Sequence, residues 1–272
     1  MKMSFCKTSL GKVAVRDSEG AKGAVLLIHG NSLSSESYDR QLAGEPGKRW
    51  RLVAFDLPGH GDSPPPAEPE PTYTLAGYSR IAREVAAALG LRKPVVVGHS
   101  LGGHIALEAV ADGFEISGLF VFSTPPLRDA RDFPAAFHLE LVGDVLFRAR
   151  VTDSEIAKVA ELIMPAGVQP PPYYARSIAA TDPAARGVMG VALKRDTFAN
   201  EQATLESIRC PAAVLLGELE RIVNIEYVQG LRLSHLWRGS VQFVPGAGHN
   251  PQYDNPEAFN ALLTEFLLPL TG

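Results

Sequence analysis

Four short runs of unbroken apolar residues constrain this chain's fold more than any other feature. They are residues 24–28 (Ala-Val-Leu-Leu-Ile), 52–55 (Leu-Val-Ala-Phe), 94–98 (Pro-Val-Val-Val-Gly) and 119–122 (Leu-Phe-Val-Phe). Each is strand-sized, and a strand apolar on both faces belongs to a parallel sheet covered by helices on each side. Helical patterns fill the gaps. Thr74 is placed to cap a helix in which Leu75, Tyr78, Ile81, Val85 and Leu89 recur at helical spacing until Gly90 stops the pattern. A second helix runs from Leu101 to Ala111 and ends near Gly113. Strand–helix alternation of this kind predicts an α/β fold with a mostly parallel, doubly wound sheet.

The alternation breaks off in the middle of the chain. Residues 127–205 contain no strand-like run. Ala130, Phe133, Phe137, Leu141 and Val145 follow near-helical spacing interrupted by Pro134, and Pro165 and Pro170-Pro171-Pro172 divide the rest. This predicts a helical cap, residues 127–205, inserted into a core made of residues 1–126 and 206–272. Alternation resumes with a strand at 212–216, a helix over 225–236, a strand at 241–244 and a last helix from Asn255-Pro256 to about residue 268. The proline-rich patch at 64–71 reads as a stiff surface loop.

Composition narrows the function classes. The 272 residues are 46% hydrophobic and 21% charged, as in ordinary globular proteins. With 26 Lys plus Arg against 30 Asp plus Glu, the chain lacks a basic footprint for nucleic acid or an anionic membrane. The opening 20 residues hold no long apolar stretch, and no run approaches the roughly 20 residues of a membrane span. A cytoplasmic protein is therefore expected. Cys6 and Cys210 lie at opposite ends of the chain, with neither metal-type spacing nor the numbers for a disulfide framework.

The chemistry concentrates at strand ends. Gly98-His99-Ser100-Leu101-Gly102, followed by Gly103, stands between the third apolar run and a helix. That is the setting of a nucleophile elbow, whose small residues let strand and helix backbones approach while a serine hydroxyl is lifted above the sheet. Ser100 is the expected nucleophile. It needs a base downstream, and of seven histidines His249 fits, in the loop Pro245-Gly246-Ala247-Gly248-His249 after the 241–244 strand. His29 and His60 lie in glycine turns, His104 behind Ser100, and His138 and His235 in helical stretches. The acid to orient His249 should follow the 212–216 strand. In Gly217-Glu218-Leu219-Glu220-Arg221 the fourth place is Glu220, with Glu218 and Asp129 as rivals. The oxyanion hole is expected from Leu101 N–H and from Asn31, by its backbone and possible side-chain amide. Phe133, Phe137, Met164, Tyr173, Tyr174, Met189 and Phe198 are available to line an apolar pocket or simply to pack the cap. His99 either touches substrate or fills the elbow.

His29-Gly30, Asp56-Leu57-Pro58-Gly59-His60-Gly61-Asp62-Ser63, Gly98 through Gly103 and Gly246-Ala247-Gly248-His249 together resemble the α/β-hydrolase superfamily over nearly the whole chain outside the cap. Within it, His29-Gly30-Asn31-Ser32, residues 41–51 and residues 118–126 look like the α/β-hydrolase type of N-acyl-homoserine lactone lactonase. That resemblance implies metal-free, cofactor-free opening of the lactone ring of a small-molecule signal, and it accounts for glutamate as the acid. The lactonase pattern has tryptophan before the nucleophile where this chain has His99. Tyr173 and Tyr174 lie near the place of that group's cap tyrosine. A carboxylesterase, a carbon–carbon bond hydrolase and a non-hydrolytic binding protein or lyase stay open as alternatives. A metal-dependent lactonase does not, because His60-Gly61-Asp62 offers a lone histidine where clustered ligands are needed.

Overall fold

The computed structural model describes residues 1–270. Eight strands form one sheet: β1 (Lys2–Thr8), β2 (Gly11–Asp17), β3 (Lys22–Ile28), β4 (Trp50–Phe55), β5 (Val95–His99), β6 (Gly118–Phe122), β7 (Ala212–Gly217) and β8 (Gln242–Val244). The spatial order is β1-β2-β4-β3-β5-β6-β7-β8. β1 and β2 pair antiparallel, as do β2 and β4, and every later pairing is parallel. The first two strands have no unbroken apolar run of strand length, so the sequence does not mark them. β1 is an edge strand whose burial alternates, leaving Met3 and Phe5 exposed and Cys6 buried.

The apolar runs are buried on both faces. Leu26, Ile28, Val53 and Val96 face Tyr78, Ile81 and Val85 of the helix Leu75–Ala88 and Ile105 of the helix Leu101–Ala111. Val25, Leu27, Val95 and Val97 face the other way, onto Phe259, Leu263 and Phe266 of the helix Pro256–Leu267. At about 25 cal/mol per Å² of apolar surface, this two-sided burial is the main force holding the sheet. Thr74 caps its helix as expected, its hydroxyl accepting Gly77 N–H at 2.9 Å.

Strand order decides where a site can form. From β3 the chain steps to β4 on one side and, later, to β5 on the other. The loops leaving β3 and β5 therefore diverge and open a crevice at their carboxyl ends.

Among the described residues, the long connection from β6 to β7 contains helices and no strand. Its longer helices are Asp153–Ile163, Pro172–Ala180, Pro183–Lys194 and Glu201–Ser207. The helical pattern over residues 130–145 does not make one helix. It breaks into short pieces, among them Phe133–Ala136 and Leu139–Val142, because Pro134 starts a helix it cannot extend backwards and Phe137 turns extended to bridge Val223. The helix expected over residues 225–236 stops at Gln229 before Gly230, and Leu236 is drawn into a bridge beside Ala212 of β7. Among the described residues no helix is long and apolar enough to cross a membrane.

Candidate active site

Ser100 follows the last residue of β5 with φ 49° and ψ −117°, a backbone region that a serine enters only under constraint. The constraint is visible. Ser100 N–H donates to Phe122 O at 2.9 Å, and its carbonyl accepts Gly103 N–H at 2.8 Å and the Thr124 hydroxyl at 3.0 Å. A Cβ at Gly98 would sit 2.5 Å from Gly102 O, and one at Gly102 would sit 2.1 Å from Ile28 O. Only glycine lets the elbow close to this depth. The helix Leu101–Ala111 starts at the next residue, so its free N–H groups surround the hydroxyl.

His249 Nε2 lies 3.1 Å from Ser100 Oγ, and His249 Nδ1 lies 3.0 and 2.9 Å from the two Glu220 carboxylate oxygens. The structure thus brings together Ser100, His249 and Glu220 from the ends of β5, β8 and β7. Glu220 is sealed from solvent. Burial pushes its carboxyl up, but the His249 ring and backbone N–H groups more than offset this, and the net direction is below the usual carboxylate range. Three N–H groups converge on one oxygen, from Arg221 (2.9 Å), Ile222 (2.8 Å) and Val223 (3.3 Å). Glutamate's extra methylene is accommodated because the chain folds back under the carboxylate as a ring of donors. The rivals are elsewhere: Glu218 is exposed and accepts Gly246 N–H at 2.9 Å, while Asp129 pairs with Arg131 at the surface.

The loop carrying His249 is anchored twice. His249 N–H donates to Ile163 O at 2.9 Å, in the β6–β7 connection, and Gly248 N–H donates to Asp254 Oδ2 at 2.8 Å. Asp254 Oδ1 is buried without a partner. Burial raises its carboxyl from the usual 3.8 to about 6, against the lowering effect of Gly248 N–H and His249. The folded state therefore binds the Asp254 proton more tightly than the unfolded chain does. Stability from this group is full below pH 3.8 and is lost as pH rises through about 6. Asp254→Asn is expected to raise the unfolding free energy by about 3 kcal/mol at pH 8 and to change little at pH 4, read from thermal unfolding at both pH values. Equal shifts at both would contradict this.

Asn31 follows β3 through His29-Gly30. Its side chain is already engaged: Nδ2 donates to Leu146 O at 2.8 Å, and Oδ1 accepts the Ser32 hydroxyl at 3.0 Å. That leaves its backbone N–H as the group Asn31 can offer to the cavity. Among the described residues neither Asn31 N–H nor Leu101 N–H has an acceptor, and both line the same cavity as Ser100.

That cavity is mostly apolar. Phe133 and Phe137 stack in its wall with ring centroids 5.7 Å apart, and Phe198 meets Phe133 edge-on at 6.2 Å. His99, Tyr173 and Tyr174 are not brought to it. His99 is fully buried beneath the elbow, stacked on Phe122 at 4.9 Å, with Nε2 donating to His249 O at 2.9 Å. Burial holds its pKa well below that of a free imidazole, so it is neutral filler that supports the backbone of His249. Tyr173 and Tyr174 pack the helix Pro172–Ala180 onto the core, and the Tyr173 hydroxyl meets Ser34 N–H at 3.2 Å. Met164 and Met189 are likewise core residues. His29 and His60 are structural as expected. Burial lowers them to about 4 and about 3, and His29 Nε2 accepts Leu57 N–H at 2.9 Å.

The sequence reading placed His104 behind Ser100, yet His104 and Glu201 both line the cavity, bonded to each other at 2.7 Å. Spacing of four from Ser100 on one helix was the available signal.

A strained serine at a strand–helix turn, a histidine and a buried acid from later strands, and two free N–H groups in one crevice define the α/β-hydrolase class of site. The sequence profile of the alpha/beta hydrolase family matches residues 25–262, and this chain belongs to that family. It is similar to crystal structures of the N-acyl homoserine lactonase AidH, with a TM-score of 0.93 and 32% identity over 99% of this chain and 97% of the AidH chain. Those crystals include AidH variants complexed with N-hexanoyl homoserine and with N-hexanoyl homoserine lactone. A non-heme chloroperoxidase from Burkholderia pyrrocinia is 27% identical over 263 residues, 89% of this chain and 91% of its own length. An esterase from Thermogutta terrifontis superposes with a TM-score of 0.81 at 20% identity over both full chains, a likeness of fold alone.

Proposed function

We propose that this protein is a metal-independent serine hydrolase that opens the lactone ring of N-acyl homoserine lactones, a cytoplasmic quorum-quenching activity. The observation that carries the reading is the hydrogen-bonded chain from Ser100 through His249 to Glu220 at the base of an apolar cavity. The 32% identity to an acyl homoserine lactonase over nearly the full length directs it toward lactones.

In the mechanism, Ser100 Oγ attacks the lactone carbonyl while His249 Nε2 takes its proton. Glu220 holds the imidazole by Nδ1 and balances its positive charge. Asn31 and Leu101 N–H groups receive the oxyanion, each such donor being worth on the order of 3 kcal/mol in the transition state. His249 returns the proton to the ring oxygen, which stays tethered to the acyl group. Water activated by His249 then releases the hydroxy acid from Ser100. Phe133 and Phe137 supply apolar wall for the acyl chain, and residues 127–205 act as the lid that selects it.

The second reading is a carboxylesterase for another small acyl substrate. It is favoured by one observation: Tyr173 and Tyr174, the places nearest the lactonase cap tyrosine, are spent in the core. A panel of N-acyl homoserine lactones and p-nitrophenyl esters separates the two, run with and without chelator and with Ser100→Ala. Lactone opening by the wild type, unaffected by chelator, is expected. Ester cleavage with no lactone opening would leave the esterase.

A further inference from the structure

The proposed chemistry uses Ser100, His249 and Glu220 and leaves one polar pair in the cavity wall unused. Glu201 is buried, 1% exposed, and its two oxygens accept from His104 Nδ1 at 2.7 Å and Leu127 N–H at 2.8 Å. An ionised carboxylate only accepts, so Nδ1 carries a proton. In the neutral ring Nε2 is then an acceptor, and among the described residues it has no partner. The rest of the nearby wall is Leu127, Phe133, Phe137, Leu193 and Phe198. His104 and Ser100 line the same cavity, and His104 N–H donates to Ser100 O at 3.3 Å at the start of the helix Leu101–Ala111.

An acceptor without a protein partner, open to a mostly apolar cavity, is a place where a ligand's donor can replace water. We propose that His104, held in this tautomer by Glu201, is a specificity-determining residue that accepts a hydrogen bond from an N–H or O–H on the acyl part of the substrate, a few bonds from the scissile carbonyl. The substrate class is thereby narrowed to esters or lactones carrying such a donor. The amide N–H of an N-acyl homoserine lactone, one carbon from the lactone carbonyl, is one example. The inference rests on Ser100 being the nucleophile, because His104 is placed relative to it. It also gives Glu201 a positioning role: without the carboxylate, the proton is free to move to the other nitrogen and turn the acceptor into a donor.

Three matched probes test it: the p-nitrophenyl esters of 3-hydroxybutanoate, which offers a donor, of 3-methoxybutanoate, which can only accept, and of butanoate. In the wild type, kcat/KM for the hydroxy ester is expected to exceed the other two by about tenfold or more, the worth of one buried hydrogen bond. In His104→Leu the ratio of kcat/KM for the hydroxy ester to that for each of the other two is expected to fall to about one. If the single variant does not fold because Glu201 is left short of a partner, the double variant His104→Leu/Glu201→Gln removes the charge as well and is expected to behave the same way. A merely structural pair would lower all three rates together. Equal wild-type rates on the three esters, or a preference that survives loss of His104, would overturn the inference alone. Absence of any Ser100-dependent cleavage would instead overturn the hydrolase reading on which it rests.

Discussion

Ser100→Ala is expected to lower kcat for ester and lactone cleavage by roughly 10³- to 10⁶-fold, with thermal unfolding little changed. The size follows from what the hydroxyl does alone. It is the atom that forms the covalent bond, so its removal leaves only binding and the two free N–H groups, which accelerate attack by water far less. Stability should hold because Oγ bonds only His249 Nε2, whereas the constraints on the elbow run through the Ser100 backbone to Phe122, Gly103 and Thr124. Alanine at φ 49° keeps the strain that serine already bears. Steady-state kinetics on a p-nitrophenyl ester checks it, and a loss below tenfold would contradict the assigned role.

The second large effect is expected at Glu220. Glu220→Gln should reduce kcat by about 10³- to 10⁴-fold, while Glu218→Gln and Asp129→Asn should stay within about twofold of the wild type. Glutamine keeps the shape but must present an N–H to one side and an oxygen to the other. The three backbone donors from Arg221, Ile222 and Val223 claim the oxygen, so the amide N–H₂ is turned toward His249 Nδ1. The ring then protonates on the wrong nitrogen and Nε2 no longer accepts the Ser100 proton. Stability carries a signature too. The folded carboxyl lies below its usual range, so its contribution is present above that range and is lost as pH falls through it. The glutamine variant lacks this acid sensitivity. Near-normal turnover by Glu220→Gln together with collapse in Glu218→Gln would move the acid.

The parts of this fold that were readable in the sequence are those where one physical demand dominates. A strand covered on both faces must be apolar at every position, so β3 to β7 stand out. The elbow needs glycine at 98 and 102 because backbones touch there, so it stands out as well. β1 was not readable because an edge strand buries only alternate side chains, and β2 was not because its buried run, Val13-Ala14-Val15, is only three residues long between charged neighbours. In the β6–β7 connection, periodicity misled. Phe133 and Phe137 keep helical spacing because both face the cavity, although the chain between them is a single turn followed by extended backbone. The order Ser100, Glu220, His249 was enough to choose the three residues that meet. Which aromatic residues reach the cavity depended on how the connecting segment folds over the sheet, and the spacing did not encode that. His99 was ambiguous for the same reason. Its neighbour Ser100 points up from the turn and His99 points down, and only the packed sheet shows Phe122 waiting beneath it.

The most direct test of the account is to label the nucleophile. The protein is inactivated with diethyl p-nitrophenyl phosphate, digested, and its peptides are mapped by mass spectrometry alongside residual lactone and ester cleavage. The account predicts one phosphoryl adduct, on the peptide bearing Ser100, accumulating in step with loss of both activities and absent from Ser100→Ala. Inactivation with the adduct on another residue, or full turnover by protein labelled at Ser100, would contradict it.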